Sequence, residues 1–264
     1  MDLKLDDKTA LVTASTAGIG FAIARGLAAE GAAVIVNGRS EQRIDAAREK
    51  IAAAVPHART HGIAADLSTA DGVRAVTERF DAVDILVNNL GIFDPKPFEE
   101  IGDEAWTAFF ETNVMSGVRL SRHYLPQMKA RNWGRIIFIS SESGLHIPAE
   151  MIHYGVTKTA QIALARGLAE TTRGTAVTVN AILPGPTRSE RVGAFIENLA
   201  KEKGLSGAEM EAHFFEQVRP TSLIQRFADT REVANLVVYT CSPLASATNG
   251  AALRVDGGVV RAIP

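Results

Sequence analysis

One cysteine, Cys241, occurs in the whole chain, which excludes an internal disulfide and any cysteine-rich metal site. Its setting reads as that of a small apolar residue on a helix. Aromatic residues are sparse at 6%, and the six histidines lack the paired spacing with a carboxylate that zinc requires, so no metal is expected. Neither sign of charge dominates: a net charge of -2 offers no basic field, and nucleic acid is not an expected partner. No apolar run approaches the ~20 residues that cross a bilayer. The opening MDLKLDDKTA has neither a basic start with an apolar run nor an arginine-rich amphipathic pattern. A cytoplasmic protein without membrane contact is the expectation. Repeats, low-complexity tracts and linkers are absent too, so one domain over 1–264 is expected.

What is present is a regular alternation of short β-rich runs and longer helical patterns, the signature of a parallel sheet wrapped by crossover helices. Strands are read at 9–14, 33–37, 59–64, 84–87, 135–140, 176–183 and 251–255. Most are near-continuous apolar runs, as strands buried on both faces require. The result is an α/β fold, a doubly wound seven-stranded parallel sheet with helices on both faces. Ala22, Ile23, Leu27 and Ala28 give the first helix its buried stripe, with Gly31 as its stop. Ser40 opens the second helix, and Thr69 or Asp71 caps the third. One longer helical stretch covers 103–130 and another about 154–171. Two segments break the alternation: a loop at 94–102, and a charged helical insertion at 187–223, read as a substrate lid.

Directly after the first strand comes Thr13-Ala14-Ser15-Thr16-Ala17-Gly18-Ile19-Gly20, running into a helix without a break. Such a turn lets peptide N–H groups and a helix N-terminus face a pyrophosphate, while glycine permits close backbone approach. Further candidates fall at the ends of the later strands, where open α/β sheets bind ligands. Strand three ends in Asp66-Leu67, and the aspartate can hydrogen-bond the adenine amine; strand four ends in Asn88-Asn89-Leu90-Gly91, whose amides can line the ribose. Strand two ends in Asn37-Gly38-Arg39-Ser40, with no carboxylate for the ribose 2′-hydroxyl. Arg39 therefore points to NADP(H), whose 2′-phosphate it can pair, with NAD(H) possible if Arg39 is merely a solvated helix-start residue.

Tyr154 and Lys158 stand four residues apart, so on a helix they share one face. A nearby cation favours phenolate and can bring a tyrosine pKa down toward a working value. Taken alone, the pair reads as an ordinary helix-surface pair, and only its context points to chemistry. Ser141 follows the fifth strand and precedes Tyr154 by thirteen positions; Asn113 lies in the long helix before that strand.

With these residues in this order, the sequence resembles the classical short-chain dehydrogenase/reductase family, particularly its 3-oxoacyl-carrier-protein reductase-like members. The resemblance runs from Lys8 to the closing Val255-Asp256-Gly257-Gly258 and implies a single-domain Rossmann fold. It implies that Tyr154 is the general acid–base, that Lys158 lowers its pKa and holds the nicotinamide ribose, and that Ser141 hydrogen-bonds the substrate oxygen. Asn113 would hold a water linking Lys158 to solvent. Ser15, Gly18, Ile19 and Gly20 would form the pyrophosphate turn, Asp66 and Leu67 would meet the adenine, and Asn88 and Gly91 would wall the adenosine side. Pro184, Gly185 and Thr187 would wall the nicotinamide, and the usual assembly is a tetramer. Two positions depart from the pattern: Ala14 replaces the first glycine of the turn, and Leu90 stands where alanine is usual.

The implied reaction is hydride transfer between a nicotinamide and a carbonyl or alcohol carbon, on a small-molecule substrate. A nucleotide-binding regulator without turnover and a structural oligomer subunit are the other classes, and fold alone excludes neither. Specificity is expected from Leu145, His146, Ile147 and His153, and from the insertion's Phe195, Phe214 and Phe215. Arg188, Arg191 and Arg219 either face an acidic substrate or form a solvated face of the insertion.

Overall fold

Side chains along a strand point alternately to its two faces, and a sheet covered on both sides must be apolar at every position. The computed structural model, which describes residues 1–263, shows that arrangement in the central strands of its sheet. The side chains of Arg191 and Phe195 lie outside the described residues. Strands β1 (Thr9–Val12), β2 (Ala33–Gly38), β3 (Arg59–Ala64), β4 (Ile85–Asn88), β5 (Gly134–Ile139) and β6 (Val177–Pro184) alternate with helices. The helices are α1 (Gly18–Ala29), α2 (Glu41–Ala54), α3 (Ala70–Arg79), α4 (Asp103–Phe110), α5 (Ser116–Ala130) and α6 (Ile152–Glu170). After β6 come β7 (Thr187–Arg188), α7 (Glu190–Lys203), α8 (Gly207–Gln217), β8 (Ala228–Asp229), α9 (Thr230–Cys241) and β9 (Ala252–Val255).

The main sheet runs β3-β2-β1-β4-β5-β6-β9, seven strands, all parallel. Val12, Val34, Val36, Ile137 and Ile139 pack with α1, α2 and α9, a face that also buries Cys241. Their neighbours Leu11, Ile35, Ile136 and Phe138 point the other way, onto residues of α3, α5 and α6 such as Val76, Leu120, Tyr124 and Ala165. From β1 the chain builds outward to β3 and then returns to β4 on β1's other side. That reversal opens a crevice at the carboxyl ends of β1 and β4.

Local chemistry fixes the ends of these elements. Ser40 Oγ accepts from Arg43 N, and Thr69 Oγ1, not Asp71, caps α3 by accepting from Gly72 N at 3.0 Å. Gly31 follows α1 at φ +89°, a conformation glycine adopts without strain.

The structure departs from the sequence reading in three places. β1 leaves the ladder at Val12, because the chain turns into the left-handed region at Ala14, φ +51°. The stretch 103–130 is not one helix: a π-helical turn, Glu111–Met115, separates α4 from α5. The insertion has a small core of its own, Ile196, Ala200, Met210, Phe215 and Phe227, and the β7–β8 pair fastens its two ends together. As a folded unit it therefore continues past 223 to β8. Among the described residues no helix is long and apolar enough to cross a membrane.

Candidate active site

The turn after β1 is built by side chains that spend their polar atoms on backbone. Ser15 Oγ donates to Val12 O and accepts from Asn37 N, at 2.7 and 3.0 Å, and Asn37 Oδ1 accepts from Ala14 N at 3.1 Å. Thr13 Oγ1 accepts from the N–H groups of Asn89 and Leu90, both at 2.8 Å, while Asn89 Nδ2 donates to the carbonyls of Thr13 and Ala14. A β-carbon on Gly20 would lie 2.5 Å from Asn89 Nδ2 and 2.6 Å from Ala14 O, so only glycine fits. Gly18 is required for another reason, its φ of +59°. The outcome is a helix α1 whose N-cap, Ala17, offers no side-chain acceptor, unlike the capped starts of α2, α3, α7, α8 and α9. Among the described residues its start has no side-chain cap, and Ile19 of its first turn lines the cavity, which suits a phosphate.

Two side chains flank that helix start. Arg39 is exposed and makes no hydrogen bond or ion pair among the described residues. Its charge nevertheless reaches Asp66, whose carboxyl lies below its ordinary range, chiefly because Ser68 donates to Asp66 Oδ1 from Oγ at 2.7 Å. Leu67 turns inward to the core.

At the other end of the crevice, β5 delivers Ser141 and α6 delivers Tyr154 and Lys158. Ser141 caps a short 3-10 turn, its Oγ accepting from Ser143 N at 3.1 Å. Burial pushes the Tyr154 phenol up to about 12, while the neighbouring Ser141 hydroxyl, by hydrogen bonding it, offsets part of the rise. Lys158 Nζ sits 5.5 Å from the Tyr154 ring centroid and donates to Ile139 O at 2.9 Å and to Gln161 Oε1 at 3.0 Å. Burial lowers its pKa to about 7. Burial thus raises the phenol, the opposite of the direction expected from the Tyr–Lys spacing.

Asn113 lies in the π-helical turn, a geometry common at functional sites. Its Oδ1 accepts from Ile92 N at 2.8 Å, and its Nδ2 donates to Ile92 O and Thr157 Oγ1, each at 3.0 Å. Its main-chain carbonyl accepts from Gln161 Nε2 at 2.6 Å. Gln161 thus joins the Lys158 ammonium to the main-chain carbonyl of Asn113.

Ser141, Tyr154, Lys158, Ile19, Gly91, Pro184, Gly185 and Thr187 all line one cavity of about 450 Å³. Gly185 has backbone against it, since a β-carbon there would lie 2.5 Å from Asp256 O. Thr187 Oγ1 is turned to Gly185 O at 2.9 Å. The insertion covers the far side with apolar side chains that include Val192, Met210 and Phe214. Arg219 binds the insertion to the body: it is 8% exposed, and it pairs with Glu142 at 3.0 Å and Glu150 at 3.3 Å. Glu142, next to Ser141, is pushed up by burial and drawn back by this arginine.

Residues 8–200 match the short chain dehydrogenase family. The oxidoreductase YvrD of Bacillus subtilis (strain 168) is 48% identical over 100% of both chains. The 3-oxoacyl-[acyl-carrier-protein] reductase FabG of Aquifex aeolicus (strain VF5) is 33% identical, over 98% of this chain and 100% of its own. L-sorbose reductase from Gluconobacter frateurii, solved in complex with NADPH and L-sorbose, superimposes with a TM-score of 0.93 at 32% identity over 100% of both chains. The chain belongs to the short-chain dehydrogenase family.

As a short-chain dehydrogenase it is an oxidoreductase, and several of its expected site residues sit elsewhere than sequence order suggests. Asn88 is turned away from the crevice toward α5, its Nδ2 reaching Ser121 Oγ at 3.5 Å; its neighbour Asn89 faces the cavity. A strand's alternation of faces explains this, because only one of two consecutive amides can point each way. Ser15 has its hydroxyl committed within the turn. Leu145, His146 and Ile147 are exposed and lie outside the cavity wall. His153 is buried between Trp106 and Phe109, ring centroids 6.0 and 3.9 Å away, and Phe215 belongs to the insertion's core. Arg219 is neither solvated nor free for an acidic substrate, and Arg188 is paired with Glu211.

Sequence reasoning missed Phe93, stacked edge-on to Tyr154 at 6.3 Å, as well as Glu142 and Gln161. Gln161 was readable in principle, as a polar residue one turn beyond Lys158 on an otherwise buried face. The donors fit a dinucleotide: an uncapped helix start, a free guanidinium beside it, and a buried lysine at the cavity floor.

Proposed function

We propose that this short-chain dehydrogenase interconverts a small ketone and its secondary alcohol with NADP(H) as cofactor. The observation that carries the reading is the meeting of the Ser141 and Tyr154 hydroxyls, with Lys158 behind them, on one cavity wall that continues to the uncapped start of α1. The bound cofactor supplies or accepts hydride at its nicotinamide C4. Gly18, Ile19 and Gly20 would hold the pyrophosphate by their N–H groups, Asp66 the adenine, and Gly91, Pro184, Gly185 and Thr187 would wall the remainder. Arg39 meets the 2′-phosphate. A relative solved with NADPH is consistent with that choice.

Ser141 and Tyr154 donate to the substrate oxygen, stabilising the negative charge that develops there. A phenol raised to about 12 is protonated throughout the neutral range, so Tyr154 enters reduction as the acid and gives up its proton to the alkoxide. Alcohol oxidation needs the phenolate, and its rate therefore climbs with pH. Asn113 acts through the π turn, and the insertion serves as a lid whose apolar wall fits an uncharged carbonyl compound. The protein works as a homo-oligomer, a tetramer by family resemblance.

The test is to follow NADPH and NADH absorbance with purified protein and a panel of ketones, aldehydes and β-ketoacyl thioesters. Tyr154→Phe is expected to lose turnover by 10²-fold or more, on the order of a general acid's contribution, while still binding NADPH. Retained turnover rejects the acid–base role. Activity with NADH alone transfers the reading to an NAD(H) dehydrogenase, and binding without turnover of any substrate to a sensor.

A further inference from the structure

Gln161 lies on α6 one turn beyond Lys158, and both side chains are buried, 1% and 4% exposed. Its carboxamide is engaged at both ends: Oε1 accepts from Lys158 Nζ at 3.0 Å, and Nε2 donates to Asn113 O at 2.6 Å. An amide has its acceptor and its donors on different atoms. Turning it over would point N–H groups at an ammonium and a carbonyl oxygen at a carbonyl oxygen, so its orientation is fixed. Among the described residues Lys158 has one other hydrogen-bond partner, Ile139 O at 2.9 Å.

We propose that Gln161 is a positioning residue that fastens the Lys158 ammonium to the π-helical turn through the Asn113 carbonyl and sustains the charge of that lysine. This rests on the reading that Lys158 works beside Tyr154. The surroundings of Lys158 leave Gln161 this task. On its own helix the facing titratable group is the Tyr154 phenol, 5.5 Å away at the ring centroid. The π turn presents the neutral amide of Asn113, the end of β5 presents the Ile139 carbonyl, and the segment after β4 presents Gly91, whose β-carbon position is 3.3 Å from Nζ. Glu142 and Arg219 act on Tyr154, whereas no carboxylate is among the groups that act on Lys158. A buried ammonium without a carboxylate depends on neutral acceptors for its charge. Among the described residues Gln161 Oε1 is one of two.

A water in the same place could accept from the lysine and pass a proton onward by exchanging its roles. The amide cannot do so without breaking both bonds. Gln161 therefore joins Lys158 to the Asn113 carbonyl as a strut that does not itself carry a proton.

The experiment titrates Lys158 directly in the cofactor-free protein, by the ¹³Cε resonance that disappears in Lys158→Met, alongside the pH profile of ketone reduction. Wild type should show a midpoint near the value of about 7 that burial imposes. Gln161→Leu removes the acceptor and should lower the midpoint by about one unit, and Gln161→Glu should raise it by a similar amount. The alkaline limb of the rate profile should move the same way in each variant. A packing role would move neither midpoint, or both in one direction together with the melting temperature. Unmoved midpoints overturn the proposal whatever the activity. Opposed midpoint shifts in a protein where Tyr154→Phe remains active support the hold of Gln161 on Lys158 and sink the functional reading instead. If Gln161→Leu does not fold, Gln161→Met supplies the neutral arm.

Discussion

Ala14 occupies a left-handed conformation, φ +51°, that costs an L-residue with a β-carbon about 1 kcal/mol. Ala14→Gly should remove that strain. Glycine gives back part of it through its greater freedom in the unfolded chain, leaving a net gain of about 0.5 kcal/mol in urea unfolding. A loss of stability would mean that the methyl group packs usefully. Arg39 answers to a different measurement. With one or two charge-assisted hydrogen bonds of about 1.5–3 kcal/mol each at stake, Arg39→Ala should weaken NADPH binding by about 10-fold or more and leave NADH nearly unchanged in calorimetry. Lys158 links the site to stability. Its folded pKa, about 7, lies below that of an unfolded lysine, so the unfolded chain binds more protons between about 7 and 10 and stability rises with pH across that window. Lys158→Met should accordingly raise the melting temperature most below pH 7, and progressively less as the pH approaches 10.

At the scale of elements, the two-helix insertion hangs on Arg219. Removing it leaves Glu142 buried beside Ser141 without its cation, a loss on the order of 3 kcal/mol for a pair this enclosed. Arg219→Met should therefore destabilise the protein by roughly that amount, and adding Glu142→Leu should recover most of it; a double variant no better than the single would locate the cost in packing.

This is also the scale at which the sequence was most and least legible. The central strands β1, β4 and β5 announced themselves because double burial favours apolar runs, and Ser40, Thr69 and Gly31 marked helix ends by chemistry that acts locally. The π turn at Glu111–Met115 was invisible, because what holds it open is tertiary: Asn113 bonds to Ile92 and accepts from Gln161, residues far away in sequence. Asn88 and Asn89 could not be told apart without knowing where β4 ends. The burial of Arg219 depended on Glu142 and Glu150, two carboxylates that no local pattern connects to it.

For the whole molecule, ligand binding and folding are one equilibrium. The crevice is assembled from the ends of β1, β2, β4, β5 and β6, so a dinucleotide that bridges them binds the folded chain alone. At a hundredfold excess over its dissociation constant it should add about 2.7 kcal/mol, which for a chain of this length is a rise of roughly 5–10 °C in melting temperature. Tyr154→Phe should show the same rise, separating binding from chemistry. Sedimentation of the purified chain tests the tetramer in the same samples.

Cys241 carries a practical benefit. Enclosed between α1 and the sheet, with burial pushing its thiol up to about 12, it is silent toward alkylating dyes at neutral pH. The native protein is thus already a blank background for site-directed labelling. A fluorophore on Glu202→Cys, exposed at the end of α7, would test in real time whether the insertion moves, without any prior cysteine removal.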